Sequence, residues 1–291
     1  MPTTLTKLNA ATSADFVTAL GGIFEHSPWI AEAAAARRPF LNVTALFAAM
    51  TAALRAAPPD RQLALIAGHP ELGVKLADLT AHSTAEQSSA GLDRLSQAEY
   101  ERFRLLNQSY REIFGFPFIV CVRRHTKDSI LREGERRLAN KPGDERAIAL
   151  EEICRIAALR LDAVVEAPER LAVHGRLSTH VLDTYHGRPA AGIAVSLMEI
   201  CSLAEPRTIA RAVTDANGRT AQPLIAGRPV PMGRYELRFD VGAYFAVQNV
   251  ALADPAFLDV VPIRFGIADA EANYHVPLVV TPWSYSTYRG S

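Results

Sequence analysis

Residues 147–170 read AIALEEICRIAALRLDAVVEAPER, and the fold turns on how this stretch ends. From Ala147 to Val165, Ile153, Ile156, Ala157, Leu161 and Val164 recur at the three- and four-residue spacing of one helix face. Pro168 then stops the pattern, because its ring removes an N–H and disfavours helical geometry in the residue before it. Upstream the signals are helical: Ser13 and Asp15 mark a helix start, Ala31 to Arg38 is a run of strong helix formers, and no run alternates as a strand. Downstream the period falls to two. Tyr235, Leu237, Phe239 and Val241 alternate with Glu236, Arg238 and Asp240, and Ile193, Val195 and Leu197 with Ala194, Ser196 and Met198. Asn217-Gly218 and His186-Gly187-Arg188-Pro189 read as tight turns. The expectation is two domains: an all-α helical bundle over 1–165, a linker over 166–170, and an all-β antiparallel sandwich over 171–291.

Composition agrees with two ordinary cores. Of 291 residues, 49% are hydrophobic and 21% charged. Basic and acidic residues number 31 each, and the halves either side of Ala167 are separately balanced, so neither carries the excess that nucleic acid would require. The uncharged run Pro39–Leu54 is too short and too polar to span a bilayer. The N-terminus shows no apolar signal region and the terminal TYRGS is not a peroxisomal tail, so the expected location is cytoplasmic. Cys121, Cys154 and Cys201 are odd in number and lack CxxC spacing, which argues against a disulfide framework or a zinc site and for a reducing compartment.

In the first half four clusters stand out: Ser27-Pro28-Trp29; Gly68-His69-Pro70-Glu71-Leu72-Gly73; the stretch 83–92, STAEQSSAGL; and the stretch 114–123, FGFPFIVCVR. Each has a plain structural reading. Ser83 with Glu86 has the spacing of a capping box, His69 before a proline sits naturally at a helix edge, Arg123 can be a solvated surface charge, and Trp29 a core aromatic.

Taken together, with the pattern RLxNxxxxExxxAxxEIxxIxxxRL from Arg137 to Leu161, these clusters resemble the 2-oxo-4-hydroxy-4-carboxy-5-ureidoimidazoline (OHCU) decarboxylase family over residues 1–165. One departure is Glu71-Leu72-Gly73, where the family more often has Asp-Leu-Ala. The resemblance implies a cofactor-free loss of CO₂ giving (S)-allantoin. A histidine titrating near neutrality suits the protonation that follows. On this resemblance His69 is the acid/base and Glu86 orients it or relays its proton. Arg123 anchors the anionic substrate, Ser83 and Gln87 bind ureido and ring amides, and Pro70 with the backbone of Phe118, Ile119 and Val120 completes the pocket.

In the second half the informative stretches are 174–183, HGRLSTHVLD; 214–219, TDANGR; 274–278, YHVPL; and 286–291, STYRGS. His174 and His186 read as structural. His180 and His275 lack a third spaced ligand, so metal binding is the weaker reading. These stretches resemble the 5-hydroxyisourate hydrolases, enzymes with a transthyretin-like sandwich, over Leu171–Ser291. The transport protein of that fold has lysine, glutamate and threonine where this chain has His180, Arg219 and His275. A longer loop is expected around Leu203 to Ile209. The resemblance implies water activation by His180 and His275, oxyanion polarisation by Arg219, and positioning by Ser291 with Tyr288, Arg289 and Gly290. It also implies a homotetramer through the sandwich, whereas the helical half resembles dimers. The partners expected are small-molecule substrates alone, with no nucleic acid, membrane, cofactor or metal. The two activities are consecutive, the hydrolase making what the decarboxylase consumes. The rival class is a transthyretin-like carrier with a helical partner domain and no turnover.

Overall fold

The computed structural model describes residues 3–73, 80–202 and 204–290. Two compact units emerge: one comprises the residues up to Arg123 together with Ser129–Ala172, the other Arg124–Asp128 and the residues from Val173 onward. The first is helical and the second strand-rich, in the order expected.

The helical part contains α1 (Leu5–Ala10), α2 (Ser13–Leu20), α3 (Trp29–Ala35), α4 (Val43–Ala56), α5 (Pro59–Ala67), α6 (Ala81–Ser89), α7 (Gln97–Phe114), α8 (Lys127–Arg137) and α9 (Pro142–Val164). Local chemistry sets their ends. Thr12 caps α2, its hydroxyl accepting from the Asp15 N–H at 3.1 Å and donating to the Asp15 carboxylate at 2.7 Å. A reciprocal capping box does occur, at Ser96 and Glu99 of α7, and that helix closes on Gly115 at φ 75°. Pro142 occupies the first turn of α9, where a missing N–H costs nothing. The face read from periodicity is buried through Ile153, Ala157 and Leu161. Glu145, Glu152 and Arg160 of the same helix are buried too, which hydrophobic periodicity does not reveal. A two-residue parallel ladder, β1 (Thr3–Thr4) against β2 (Val165–Glu166), was not expected in this half.

The second unit holds β3 (Gly175–Ser178), β4 (Val181–Asp183), β5 (Arg188–Pro189), β6 (Ala194–Ile200), β7 (Arg207–Val213), β8 (Ile225–Arg228), β9 (Gly233–Asp240), α10 (Val241–Ala246), β10 (Val260–Ile267), β11 (Asn273–His275), β12 (Leu278–Val280) and β13 (Tyr285–Thr287). One sheet runs β10-β9-β6-β7; two shorter ladders run β11-β3-β8 and β13-β12-β4-β5. Leu177, Val181, Leu197, Leu237, Phe239 and Leu278 fill the core. The expected antiparallel pairing holds in the first sheet, but β11 pairs with β3 and β12 with β4 in parallel, an arrangement that alternation along one strand cannot specify. The alternation read through Val241 stops at Asp240, because the Val241 and Gly242 amides turn to the Asp259 carbonyl and begin α10. Strand β7 takes over at Arg207, so the expected loop is confined to residues before it, and Leu203 lies outside the described residues. Among the described residues no helix is long and apolar enough to cross a membrane.

Candidate active sites

In the helical unit the loop after α5, helices α6 and α9 and the segment 118–123 enclose a cavity of about 470 Å³, open mouth included. It is lined by His69, Pro70, Ser83, Glu86, Gln87, Phe118, Ile119, Val120 and Arg123, the residues given a site role in this half, together with Arg160, Ile156 and Leu159 of α9.

His69 follows α5, its amide donating to the Ile66 carbonyl at 3.2 Å. His69 is 8% exposed, and its Nδ1 lies 2.8 Å from the Leu65 carbonyl. A carbonyl only accepts, so Nδ1 carries the proton and the neutral ring presents a lone pair on Nε2. That Nε2 is buried and has no hydrogen-bond partner. Burial holds the imidazole below its ordinary pKa, with the Leu65 carbonyl and Glu25 opposing in part.

The capping-box reading of Ser83 and Glu86 fails, because Thr80 caps α6, its hydroxyl accepting from the Ser83 N–H at 3.3 Å. Freed from that task, the two side chains enter a buried polar cluster. Ser83 donates to Glu25 at 3.1 Å, and Thr80 donates to the same carboxylate oxygen at 2.6 Å. Arg160 meets both Glu86 and Glu25. Burial would raise the Glu25 carboxyl, but the Thr80 hydrogen bond and the Arg160 guanidinium outweigh it and hold the pKa below the usual value. Gln87 spends its amide on the loop after His69: Nε2 donates to the Glu71 carbonyl at 3.0 Å, and Oε1 accepts the Gly73 N–H at 2.9 Å. Arg123 forms no ion pair with any described residue, which leaves it as the uncompensated cation of the cavity wall. Glu25 and Arg160 were missed in the sequence. Arg160 stands in the Arg137–Leu161 pattern, whose fixed polar positions were its signal; Glu25 had none beyond lying two residues before Ser27.

In the strand-rich unit the site forms where two neighbouring strands are interrupted side by side. Thr179-His180 separates β3 from β4, and Val276-Pro277 separates β11 from β12. His180 bridges to Arg219 across the Asp215–Arg219 turn, whose Gly218 at φ 70° donates to the Asp215 carbonyl at 2.8 Å. A Cβ on Gly218 would lie 2.3 Å from the Val181 carbonyl oxygen, so glycine is required there. His275 pairs through its backbone with Gly290, and its Nδ1 sits 3.0 Å from the Ser178 hydroxyl. Both imidazoles are held below their ordinary pKa, first by burial and then by Arg219. His180 Nε2 is buried without a partner. Tyr288 is exposed, the Arg289 guanidinium stacks 4.8 Å from the Tyr274 ring centroid, and Ser291 lies outside the described residues. His186 is tied to Asp183 at 2.6 Å, a structural contact. Among the described residues no three His, Cys, Asp or Glu side chains are grouped to hold a metal ion.

Residues 9–162 match the family model described as OHCU decarboxylase, and residues 177–290 that of the HIUase/Transthyretin family. The chain belongs to both families. A decarboxylase named for OHCU from Haloferax volcanii is 45% identical over 158 residues, covering 54% of this chain and 94% of that protein. A 5-hydroxyisourate hydrolase from Ralstonia nicotianae is 54% identical over 118 residues, covering 40% of this chain and 99% of that protein. The crystal structure of an (S)-allantoin synthase matches over 100% of both chains at 36% identity, with a TM-score of 0.53. The decarboxylase match contains the whole cavity wall, and the HIUase/Transthyretin match contains His180, Arg219 and His275.

Proposed function

We propose that this chain carries out two successive steps of urate breakdown, hydrolysing 5-hydroxyisourate in the strand-rich unit and decarboxylating the resulting OHCU to (S)-allantoin in the helical unit. The observation that carries the reading is the buried, unpartnered Nε2 of His69 in the wall of a cavity that also holds an unpaired arginine. When CO₂ leaves, the ring hydroxyl must lose a proton and the neighbouring carbon must gain one on a single face. A histidine nitrogen with a free lone pair can take the first and deliver the second. Arg123 anchors the departing carboxylate, while Arg160 fixes Glu86 against the wall as an acceptor for substrate N–H groups.

In the hydrolase site, His180 and His275 in neutral form draw a proton from water, and Arg219 stabilises the oxyanion formed at the lactam carbonyl. Ser291, with Tyr288, Arg289 and Gly290, positions water or substrate. Among the described residues the outer strands β10, β7, β13 and β5 each leave one edge unpaired in their sheets, which supports assembly of copies through the sandwich into a tetramer. Dimer contacts by the helical unit follow from its family resemblance. Domain limits of 1–165 and 171–291, joined by 166–170, and a cytoplasmic location complete the reading; neither family match enters 166–170.

The test uses two full-length variants, His69→Asn and His180→Asn, fed freshly generated 5-hydroxyisourate. The first is expected to consume it without forming chiral allantoin, the second to convert only supplied OHCU, and their mixture to restore the complete conversion. Wild-type yields from either variant alone would refute the assignment of that site.

A further inference from the structure

The segment at the back of the decarboxylase cavity is tied from behind by two buried charges. Arg137, wholly buried, donates from Nη1 to the Ile119 carbonyl at 2.9 Å, and Glu152 accepts the Cys121 N–H on Oε2 at 2.8 Å. In a trans peptide the C=O and N–H point in opposite directions. Both peptide bonds flanking Val120 are trans. Turning the Ile119 carbonyl to Arg137 therefore turns the Val120 N–H away from it, and turning the Cys121 N–H to Glu152 turns the Val120 carbonyl away from that carboxylate. Val120 is 3% exposed and lines the cavity, yet neither of its backbone groups has a partner among the described residues. A buried N–H and C=O left open together call for a ligand or water, and they complement the C=O and N–H of an amide or urea.

Arg137 is itself held on every side. Its Nε donates to Glu145 at 3.0 Å and its Nη2 to the same carboxylate. Asn140 at 2.8 Å and the Tyr110 hydroxyl also bond Glu145, and the Phe118 ring centroid lies 4.8 Å from the guanidinium carbon. The planar fork reaches Glu145 from Nε and Nη2 and the Ile119 carbonyl from Nη1 in one fixed geometry; a lysine ammonium donates from a single atom and cannot reproduce that spread. Arg137, Asn140, Glu145 and Glu152 are thus four of the five polar positions of the motif that runs from Arg137 to Leu161, and they act on one short piece of backbone, Arg137 and Glu152 directly and Asn140 and Glu145 through Arg137.

We propose that Arg137 and Glu152 are positioning residues for the decarboxylation, holding the Val120 peptide groups in the orientation that receives the amide or ureido edge of the substrate. The proposal rests on the reading of this cavity as the decarboxylation site.

The experiment measures KM and kcat of the full-length protein on freshly generated OHCU. Glu152→Leu and Arg137→Lys are each expected to raise KM about tenfold with kcat within about threefold, because hydrogen bonds made equally in ground and transition states are lost. Glu152→Gln keeps an acceptor oxygen and is expected to return KM to the wild-type value. A purely structural lesion lowers the active fraction, and so kcat, with KM unmoved; that pattern, or wild-type KM in the folded variants, overturns the proposal. Should the leucine variant not fold, Arg137→Lys, which keeps a charge beside Glu145, decides. His69→Asn is assayed alongside. Decarboxylation that survives in it overturns the assignment of the cavity, whereas its loss with unaltered KM in the other variants overturns the positioning role alone.

Discussion

Arg160 meets Glu86 edge-on, Nε to Oε1 and Nη2 to Oε2 at 2.8 Å each, while its Nη1 reaches Glu25 at 2.6 Å. One guanidinium thus compensates two carboxylates in the wall of the decarboxylase cavity, and all three side chains are largely buried. Removing one partner of such a cluster leaves charges without water or counter-ion, at a cost of about 3–5 kcal/mol. Arg160→Met is therefore expected to destabilise the helical unit by about that amount and to abolish decarboxylation, with hydrolysis of 5-hydroxyisourate retained. Urea unfolding followed by circular dichroism, together with separate assays of the two steps, checks both parts. A methionine variant with wild-type stability would show that the cluster contributes nothing net.

The pH dependence of decarboxylation follows from His69. Burial lowers its pKa from 6.5, so the neutral ring with its open Nε2 predominates near neutrality. The rate is expected to be full there and to fall as pH drops through the depressed pKa, placing the acid limb below 6.5. The same shift bears on stability. The unfolded chain takes up this proton at a higher pH than the folded one, so the contribution is present above the unfolded value and lost as pH falls through the folded value. His69→Asn is expected to lower kcat by about 10²- to 10⁴-fold and to make the helical unit less sensitive to acid. An acid limb centred above 6.5 in a pH–rate profile would contradict the assignment.

Arg219 gives a second test in pH, with the opposite direction of movement. It lies near both hydrolase histidines and, after burial, is the largest influence lowering each. Arg219→Gln removes that influence, so both imidazoles become easier to protonate and the acid limb of hydrolysis is expected to move to higher pH. Loss of oxyanion stabilisation should also lower kcat by about 10²- to 10³-fold. A variant with reduced kcat but an unmoved acid limb would place Arg219 on the oxyanion without coupling it to the histidines.

Much of this was legible in the sequence, and what was not shares a physical cause. Apolar spacing located α9 and β9, since periodicity is what separates a helix face from a half-buried strand. It was silent on Glu25, Glu152 and Arg160, because a buried charge is bought by partners distant in sequence rather than by its own neighbours. Arg160 meets Glu25 across 135 positions. Local spacing also misled at Ser83 and Glu86, whose capping-box pattern is satisfied one turn earlier by Thr80. Parallel pairing of β3 with β11 had no local signal, since each strand looks the same in either orientation.

A close approach at His275 in the hydrolase site supplies the last expectation. A Cβ added to Gly290 would lie 3.2 Å from His275 Cγ and 2.7 Å from its Cδ2, the latter closer than real Cβ atoms approach a neighbour. On the other side the ring is fixed by Ser178 at 3.0 Å, so the imidazole cannot retreat without losing the hydrogen bond that aims it. Gly290→Ala is therefore expected to lower hydrolysis by about a hundredfold, the scale of an ångström of misplacement at a reacting group, while decarboxylation stays at its wild-type rate. Gly266→Ala is the control, because a Cβ there meets only the Gly233 carbonyl, at 4.0 Å. Equal hydrolase rates in the two variants would mean that His275 is free to move and that its present orientation does not set the rate.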